Sequence, residues 1–182
     1  TSGVHTPNEP TVVTTRHVEC MDCHNPHSGG TGPDTPGSSG IDYLGNIINP
    51  LTAPYQVCFR CHGDGGNSVP GTNRQVFQPK IRLKFDTINP SYHPVAGIGK
   101  STNVPSLIAP WTTSSIMECT DCHGSDDGSN RPHGSIYSPI LKLQYNRTRG
   151  NESAAAYALC YSCHDRDSIL SDNTFGEHQK HV

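Results

Sequence analysis

Apolar material is scarce in this chain. Only 32% of its 182 residues are hydrophobic, and 7% are aromatic. Gly (18) and Pro (15) together make up a little under a fifth of it. A chain of this make-up buries too little of its own apolar surface to offset the ordering of its backbone. Long hydrophobic runs are also missing. No segment approaches the roughly 18 apolar residues that a membrane-spanning helix needs. Basic runs do not exceed two residues and the net charge is −3, which argues against nucleic-acid binding. Methionine occurs only twice, as Met21 and Met117. No apolar leader opens the chain, since Thr1-Ser2-Gly3 runs into a polar stretch.

Cysteine and histidine are what the chain has instead. Cys20-Met21-Asp22-Cys23-His24 holds two thiols at a short fixed spacing, with a histidine directly after the second. The pattern recurs as Cys58-Phe59-Arg60-Cys61-His62, Cys119-Thr120-Asp121-Cys122-His123 and Cys160-Tyr161-Ser162-Cys163-His164. All eight cysteines are used. C-x-x-C-H is the attachment signature for c-type haem: each thiol bonds to a former vinyl group, and the histidine reaches the iron from one face. Four C-x-x-C pairs would also suit two tetrathiolate zinc sites or four redox dithiols. Neither alternative requires a histidine after every pair. With 11 histidines in the chain, four such coincidences have a chance of about one in a hundred thousand.

Four covalently bound haem c groups change the folding balance. If each hides about 500 Å² of apolar macrocycle, each contributes roughly 10 kcal/mol. The expected fold is therefore mostly coil, with short α-helices around the CxxCH motifs, little β structure and a haem-dominated core. Without haem the chain is expected to be disordered, by the linkage that leaves small metal domains unfolded without their metal. Covalent haem attachment of this kind happens outside the cytoplasm. The expectation is a mature exported protein whose leader has been removed.

Along the chain, residues 1–19 read as a polar extended arm with His5 and His17. Residues 20–62 carry the first two motifs, with a loop from Gly29 to Gly40 and a short helix expected over Thr52 to His62. Residues 63–75 are again loop. Across 76–88, Ile81, Leu83 and Phe85 alternate with Arg82, Lys84 and Asp86, the period of a half-buried strand. Residues 89–118 form a Pro-rich linker that contains His93. Residues 119–164 carry the last two motifs, and the Ala-rich run from Glu152 to His164 suits a helix. Residues 165–182 are a polar tail with His178 and His181.

The arrangement is an internal duplication. Glu19 precedes Cys20 as Glu118 precedes Cys119, and Asp22 answers Asp121. Pro26-His27-Ser28-Gly29 answers Pro132-His133-Gly134-Ser135. The expected organisation is one haem-wrapped unit over 1–182. It has a two-haem module at 17–75, a linker with the strand at 76–118, and a second two-haem module with the tail at 119–182.

Paired C-x-x-C-H motifs with an intervening Pro-His resemble the doubled-motif class of multihaem cytochromes c. Four motifs on a loop-rich chain of this length resemble the OmcE-type tetrahaem extracellular cytochromes, which polymerise into electron-conducting filaments. The likeness covers residues 20–62 and 119–164, and elsewhere it rests on histidine placement and composition.

Each motif supplies one axial ligand: His24, His62, His123 and His164. Met21 lies inside a C-x-x-C loop and Met117 two residues before Cys119, so neither is placed to reach the opposite face of its own haem. Seven histidines remain for four positions: His5, His17, His27, His93, His133, His178 and His181. Bis-histidine ligation with low potentials follows. His27 lies three residues after His24, a reach of at most about 10 Å, too short to pass round a macrocycle. If it is a ligand and not an exposed loop histidine, it serves another haem, and the repeat assigns it to that of Cys58 and Cys61. His133 is assigned likewise to that of Cys160 and Cys163. Similar His-Pro-Val segments in related multihaem proteins ligate the next haem, which implies His93 for the third. For the first, His5 is favoured over His17, which meets the same reach limit against Cys20. His17, His178 and His181 remain as alternatives, as solvent-exposed histidines, or as ligands to a haem in the next subunit of a head-to-tail polymer.

An iron with two strong protein ligands has no vacant position, so outer-sphere electron transfer is the expected chemistry, not catalysis. Three functions compete: an extracellular filament subunit forming a homopolymer, a soluble periplasmic tetrahaem carrier, and a redox enzyme subunit. Other redox proteins or extracellular electron acceptors are the expected partners. The sequons Asn146-Arg147-Thr148 and Asn151-Glu152-Ser153 would suit a secreted surface if glycosylated, although two matches of so short a motif weigh little.

Overall fold

The structure is a computed structural model that describes residues 23–24, 39–64, 80–129, 131–148 and 150–171. These are mostly coil, with a few short helices and one two-stranded sheet. They fall into two compact units, one within 1–96 and the other within 97–182. Residues 80–96 of the Pro-rich connection belong to the first unit and 97–118 to the second.

The first unit is built on a hairpin and a helix. Strands β1 (Gly40–Ile41) and β2 (Ile47–Ile48) pair antiparallel, with Gly40 opposite Ile48 and Ile41 opposite Ile47. The Asp42 carboxylate closes the turn by accepting from the Asn46 backbone N–H at 2.8 Å and from Asn46 Nδ2 at 3.0 Å. Gly45 takes φ +95°, which side-chain-bearing residues rarely adopt.

Helix α1 (Tyr55–His62) packs on β1 and carries the second C-x-x-C-H. Its first turn is held from one side chain. Gln56 Oε1 accepts from the backbone N–H groups of Thr52 and Ala53, at 2.8 and 3.2 Å. Pro54 occupies the N-cap, and the helix starts at Tyr55 and not at Thr52. Tyr55, Gln56, Phe59 and Arg60 form the buried stripe. Phe59 is 1% exposed. The Tyr55 ring meets it edge-on at 5.0 Å, and Phe85 stacks on it at 6.1 Å.

The strand expected across 76–88 is not formed in its described part. Ile81–Lys84 is a single 3₁₀ turn. The side-chain alternation is reversed where a strand would need it: Leu83 is 42% exposed, whereas Arg82 turns inward. Arg82 Nε donates to Asp64 at 2.8 Å, and its Nη1 to the Tyr43 carbonyl at 3.1 Å. One arginine thus ties the hairpin, the end of α1 and the 3₁₀ turn together. With no partner strand among the described residues, that ion pair decides the conformation.

The second unit has three short helices. Helix α2 (Cys119–Cys122) carries the third motif, and α3 (Ala158–Tyr161) opens the fourth. Helix α4 (Arg166–Leu170) follows it, with the Asp165 carboxylate accepting from the Ser168 N–H at 2.6 Å. The helix expected over 152–164 is shortened to α3. In a helix running through from Glu152, Leu159 would donate to Ala155. It donates instead to the Gln144 carbonyl at 3.0 Å, while Asn146 donates to Ala156 at 2.8 Å. Pairing with the 144–146 segment outcompetes the alanine propensity.

Candidate haem-attachment sites

Helix α2 shows why Glu and Asp flank the third motif. The Glu118 backbone N–H donates to Asp121 Oδ2 at 2.7 Å, the reciprocal half of a capping box. Thr120 Oγ1 donates to Glu118 Oε2 at 3.1 Å. The turn presents Cys119 and Cys122, and the His123 N–H bonds back to the Cys119 carbonyl at 2.8 Å. The fourth motif turns the same way, with the His164 N–H on the Cys160 carbonyl at 3.0 Å.

Both histidines are gripped through Nδ1. His123 Nδ1 lies 3.2 Å from the Pro139 carbonyl oxygen. A carbonyl only accepts, so Nδ1 carries the proton and the lone pair sits on Nε2. That is the tautomer an iron-binding histidine needs. The loop that delivers the carbonyl is strained: Ile140 sits at φ +55°, unfavourable for a β-branched residue by about 1–3 kcal/mol. The Gly124 N–H on the Ile140 carbonyl, at 3.1 Å, and the Lys142 N–H on the Cys122 carbonyl, at 3.0 Å, hold it there. His164 Nδ1 lies 2.9 Å from Ser106 Oγ.

The third and fourth motifs are neighbours. Burial, followed by the proximity of Cys163, Asp121 and Cys160, pushes the Cys122 thiol up to about 11. Burial and Cys163 likewise raise the Cys160 thiol. A hollow of about 220 Å³ lies against both motifs, lined by Trp111, Asp121, Lys142, Leu143, Leu159, Ser162 and Cys163. Trp111, Leu143 and Leu159 give it an apolar part that would lie against a macrocycle, and Lys142 would supply a cation for a propionate.

The fourth motif has a further clamp. Glu152 accepts from the Tyr161 hydroxyl at 2.9 Å and from Arg166 Nε at 2.9 Å. Arg166 also lies over the Tyr161 ring, 5.9 Å from its centroid.

These observations separate the chemistries open to the cysteines. Among the described residues, no three His, Cys, Asp or Glu side chains converge to hold a metal ion. A reactive dithiol needs a depressed thiol pKa, whereas Cys122 and Cys160 are raised. Paired thiols on a tight turn, a histidine locked at Nδ1 and an apolar hollow fit c-type haem.

The structure describes Cys23 and His24 of the first motif and all of the other three. Cys20, His5, His17, His27, His178 and His181 lie outside the described residues. His24, His62, His93, His123 and His133 are all exposed. His93 belongs to the first unit, and its carbonyl accepts from Val95 at 2.8 Å. His133 sits on the loop of the second unit, its N–H on the Arg131 carbonyl at 2.8 Å. Sequence reasoning missed Ser106 and Pro139, the partners of His164 and His123. Nothing local to either residue signals that role. Asn146 and Asn151 are both exposed. No helix among the described residues is long and apolar enough to cross a membrane.

Residues 114–169 match the family described as the doubled CXXCH motif. The match covers the third and fourth motifs and supports a multihaem c-type cytochrome working in electron transfer. No curated protein and no solved structure matches the chain.

Proposed function

We propose that the chain is a tetrahaem c-type cytochrome that passes electrons along closely spaced bis-histidine haems, as the repeating subunit of an extracellular conductive filament. The observation that carries the electron-transfer reading is the adjacency of the third and fourth motifs around one apolar hollow, each histidine held at Nδ1. Outer-sphere transfer falls steeply with distance, so neighbouring sites are what a conducting chain requires. Cys20, Cys23, Cys58, Cys61, Cys119, Cys122, Cys160 and Cys163 would hold four haems, with His24, His62, His123 and His164 as the ligands from the motifs. His27, His93, His133 and His5 would close the opposite faces. Two two-haem modules, 17–75 and 119–182, would then be joined by 76–118. Full coordination leaves no position for substrate, so the protein is a carrier and not an enzyme. The filament reading rests on the resemblance of the four-motif pattern, on the loop-rich wrapping and on histidines in excess of the four irons. Export follows from covalent haem chemistry.

The test is electron microscopy of the native material, with a pyridine haemochrome count on the same preparation. Helical filaments carrying four haems per chain are expected. Monodisperse particles with four six-coordinate haems would replace the filament with a soluble periplasmic carrier. A high-spin iron that binds carbon monoxide readily when reduced would refute the carrier chemistry itself.

A further inference from the structure

His123 and His164 are held through the same ring atom by unlike partners. His123 meets the Pro139 carbonyl at an exposed corner, where both residues face solvent. His164 meets the Ser106 hydroxyl, 58 positions away in sequence, and Ser106 is 2% exposed. The segment that carries Ser106 is laced to the end of the fourth motif. The Ser106 carbonyl accepts from Asp165 at 2.6 Å, Ile108 donates to the Cys163 carbonyl at 3.0 Å, and Leu107 pairs with His164 in an antiparallel bridge. The backbone that carries the hydroxyl is therefore held beside the ring.

We propose that Ser106 is a positioning residue that, as a weaker acceptor than the Pro139 carbonyl, lowers the reduction potential of the iron held by His164 less than Pro139 lowers that of the iron held by His123, so that the fourth haem keeps the higher potential and electrons entering the second module rest on it. The proposal depends on the haem reading given above. When iron occupies Nε2, Nδ1 keeps its proton, and its partner must accept. A strong acceptor gives the ring imidazolate character, which stabilises ferric iron and lowers the potential. An amide carbonyl is a stronger acceptor than a hydroxyl oxygen, so His123 is the more electron-rich ligand. Burial acts in the same direction. The oxidised centre carries one more positive charge than the reduced one, and the water-poor surroundings of Ser106 penalise it more than the exposed corner of His123 does. Nearby carboxylates do not reverse the order. Glu152 is paired with Arg166, and Asp165 is exposed and engaged in capping α4.

The test is a spectroelectrochemical titration of the holoprotein, with haem counted by pyridine haemochrome and low-spin signals followed by electron paramagnetic resonance. In Ser106→Ala, with four haems retained, one potential should shift upward and one low-spin signal should change, the others moving much less. Ser106→Thr should restore both. His123→Met marks the third haem by its own upward displacement, and in the parent protein that haem should be the later of the pair to be reduced. Unchanged potentials in Ser106→Ala, a downward shift, or a third haem reduced first would overturn the proposal. Should Ser106→Ala not mature, Ser106→Cys is compared with Ser106→Thr. The weakly accepting thiol should give the higher potential, and equality would overturn the proposal. A parent protein without haem would instead overturn the functional reading beneath it.

Discussion

Replacing Phe59 tests whether the spacer of a C-x-x-C loop doubles as protein core. Phe59 lies between Cys58 and Arg60 and is 1% exposed. Its ring meets Tyr55 at 5.0 Å and Phe85 at 6.1 Å. Truncation to alanine removes the transfer energy of the ring and leaves a cavity, together about 3–5 kcal/mol. Two aromatic pairs at about 0.5–1.5 kcal/mol each account for about 1–3 kcal/mol of that. Phe59→Leu keeps most of the volume, and so should lose only the share due to the ring pairs. The assay is amide hydrogen exchange in the holoprotein across α1. The Gly63 N–H, bonded to the Phe59 carbonyl at 2.9 Å, is a direct probe of its last turn. At 1.4 kcal/mol per decade, exchange through opening of this unit should quicken by about a hundred-fold to several thousand-fold in Phe59→Ala. The leucine variant should fall between it and the parent. Protection unchanged in Phe59→Ala would refute the reasoning and mean that haem alone orders the second motif.

Other consequences are equally open to measurement. A Cβ on Gly124 would come 2.7 Å from the Ser129 carbonyl oxygen and 2.5 Å from Lys142 Cγ, so Gly124→Ala should lower the stability of the second unit by about 1–3 kcal/mol in urea melts. Burial, then the hydrogen bond and charge of Glu152, raise the Tyr161 phenol from 10.0 to about 12. Folding thus favours the neutral phenol; its contribution is whole below pH 10 and fades as pH climbs through about 12. Phenolate absorbance should show one of the seven tyrosines titrating late, and Glu152→Gln should bring it down; seven ordinary titrations would contradict this. Replacing His27 should perturb the spectrum of the second haem and spare the first, whereas the reverse would end that ligand assignment.

The chemistry of the sites was legible because it is local. Two thiols and a histidine stand within five residues of one another whatever the rest of the chain does. The Glu118–Asp121 pair that shapes α2 is likewise only three residues apart, and it was visible as a repeat before its hydrogen bond was known. The helix of the second motif was legible too, as a short run ending at His62, although it starts at Tyr55 and not at Thr52.

What only the tertiary structure decided is the conformation of segments whose partners lie far along the chain. Ile81–Lys84 alternates like a strand, yet Arg82 reaches Asp64 and Tyr43, and a 3₁₀ turn results. Ala154–Ala156 favours a helix, yet the 144–146 segment takes its hydrogen bonds. Ser106 carries no motif and becomes the partner of His164 only because the chain folds back across 58 residues. In a chain with so little apolar surface, local preferences of a few tenths of a kcal/mol per residue are readily overridden by one half-buried ion pair or a few backbone hydrogen bonds. The sequence by itself therefore determined where the C-x-x-C-H motifs stand, and the fold determined what holds the His123 and His164 rings in place.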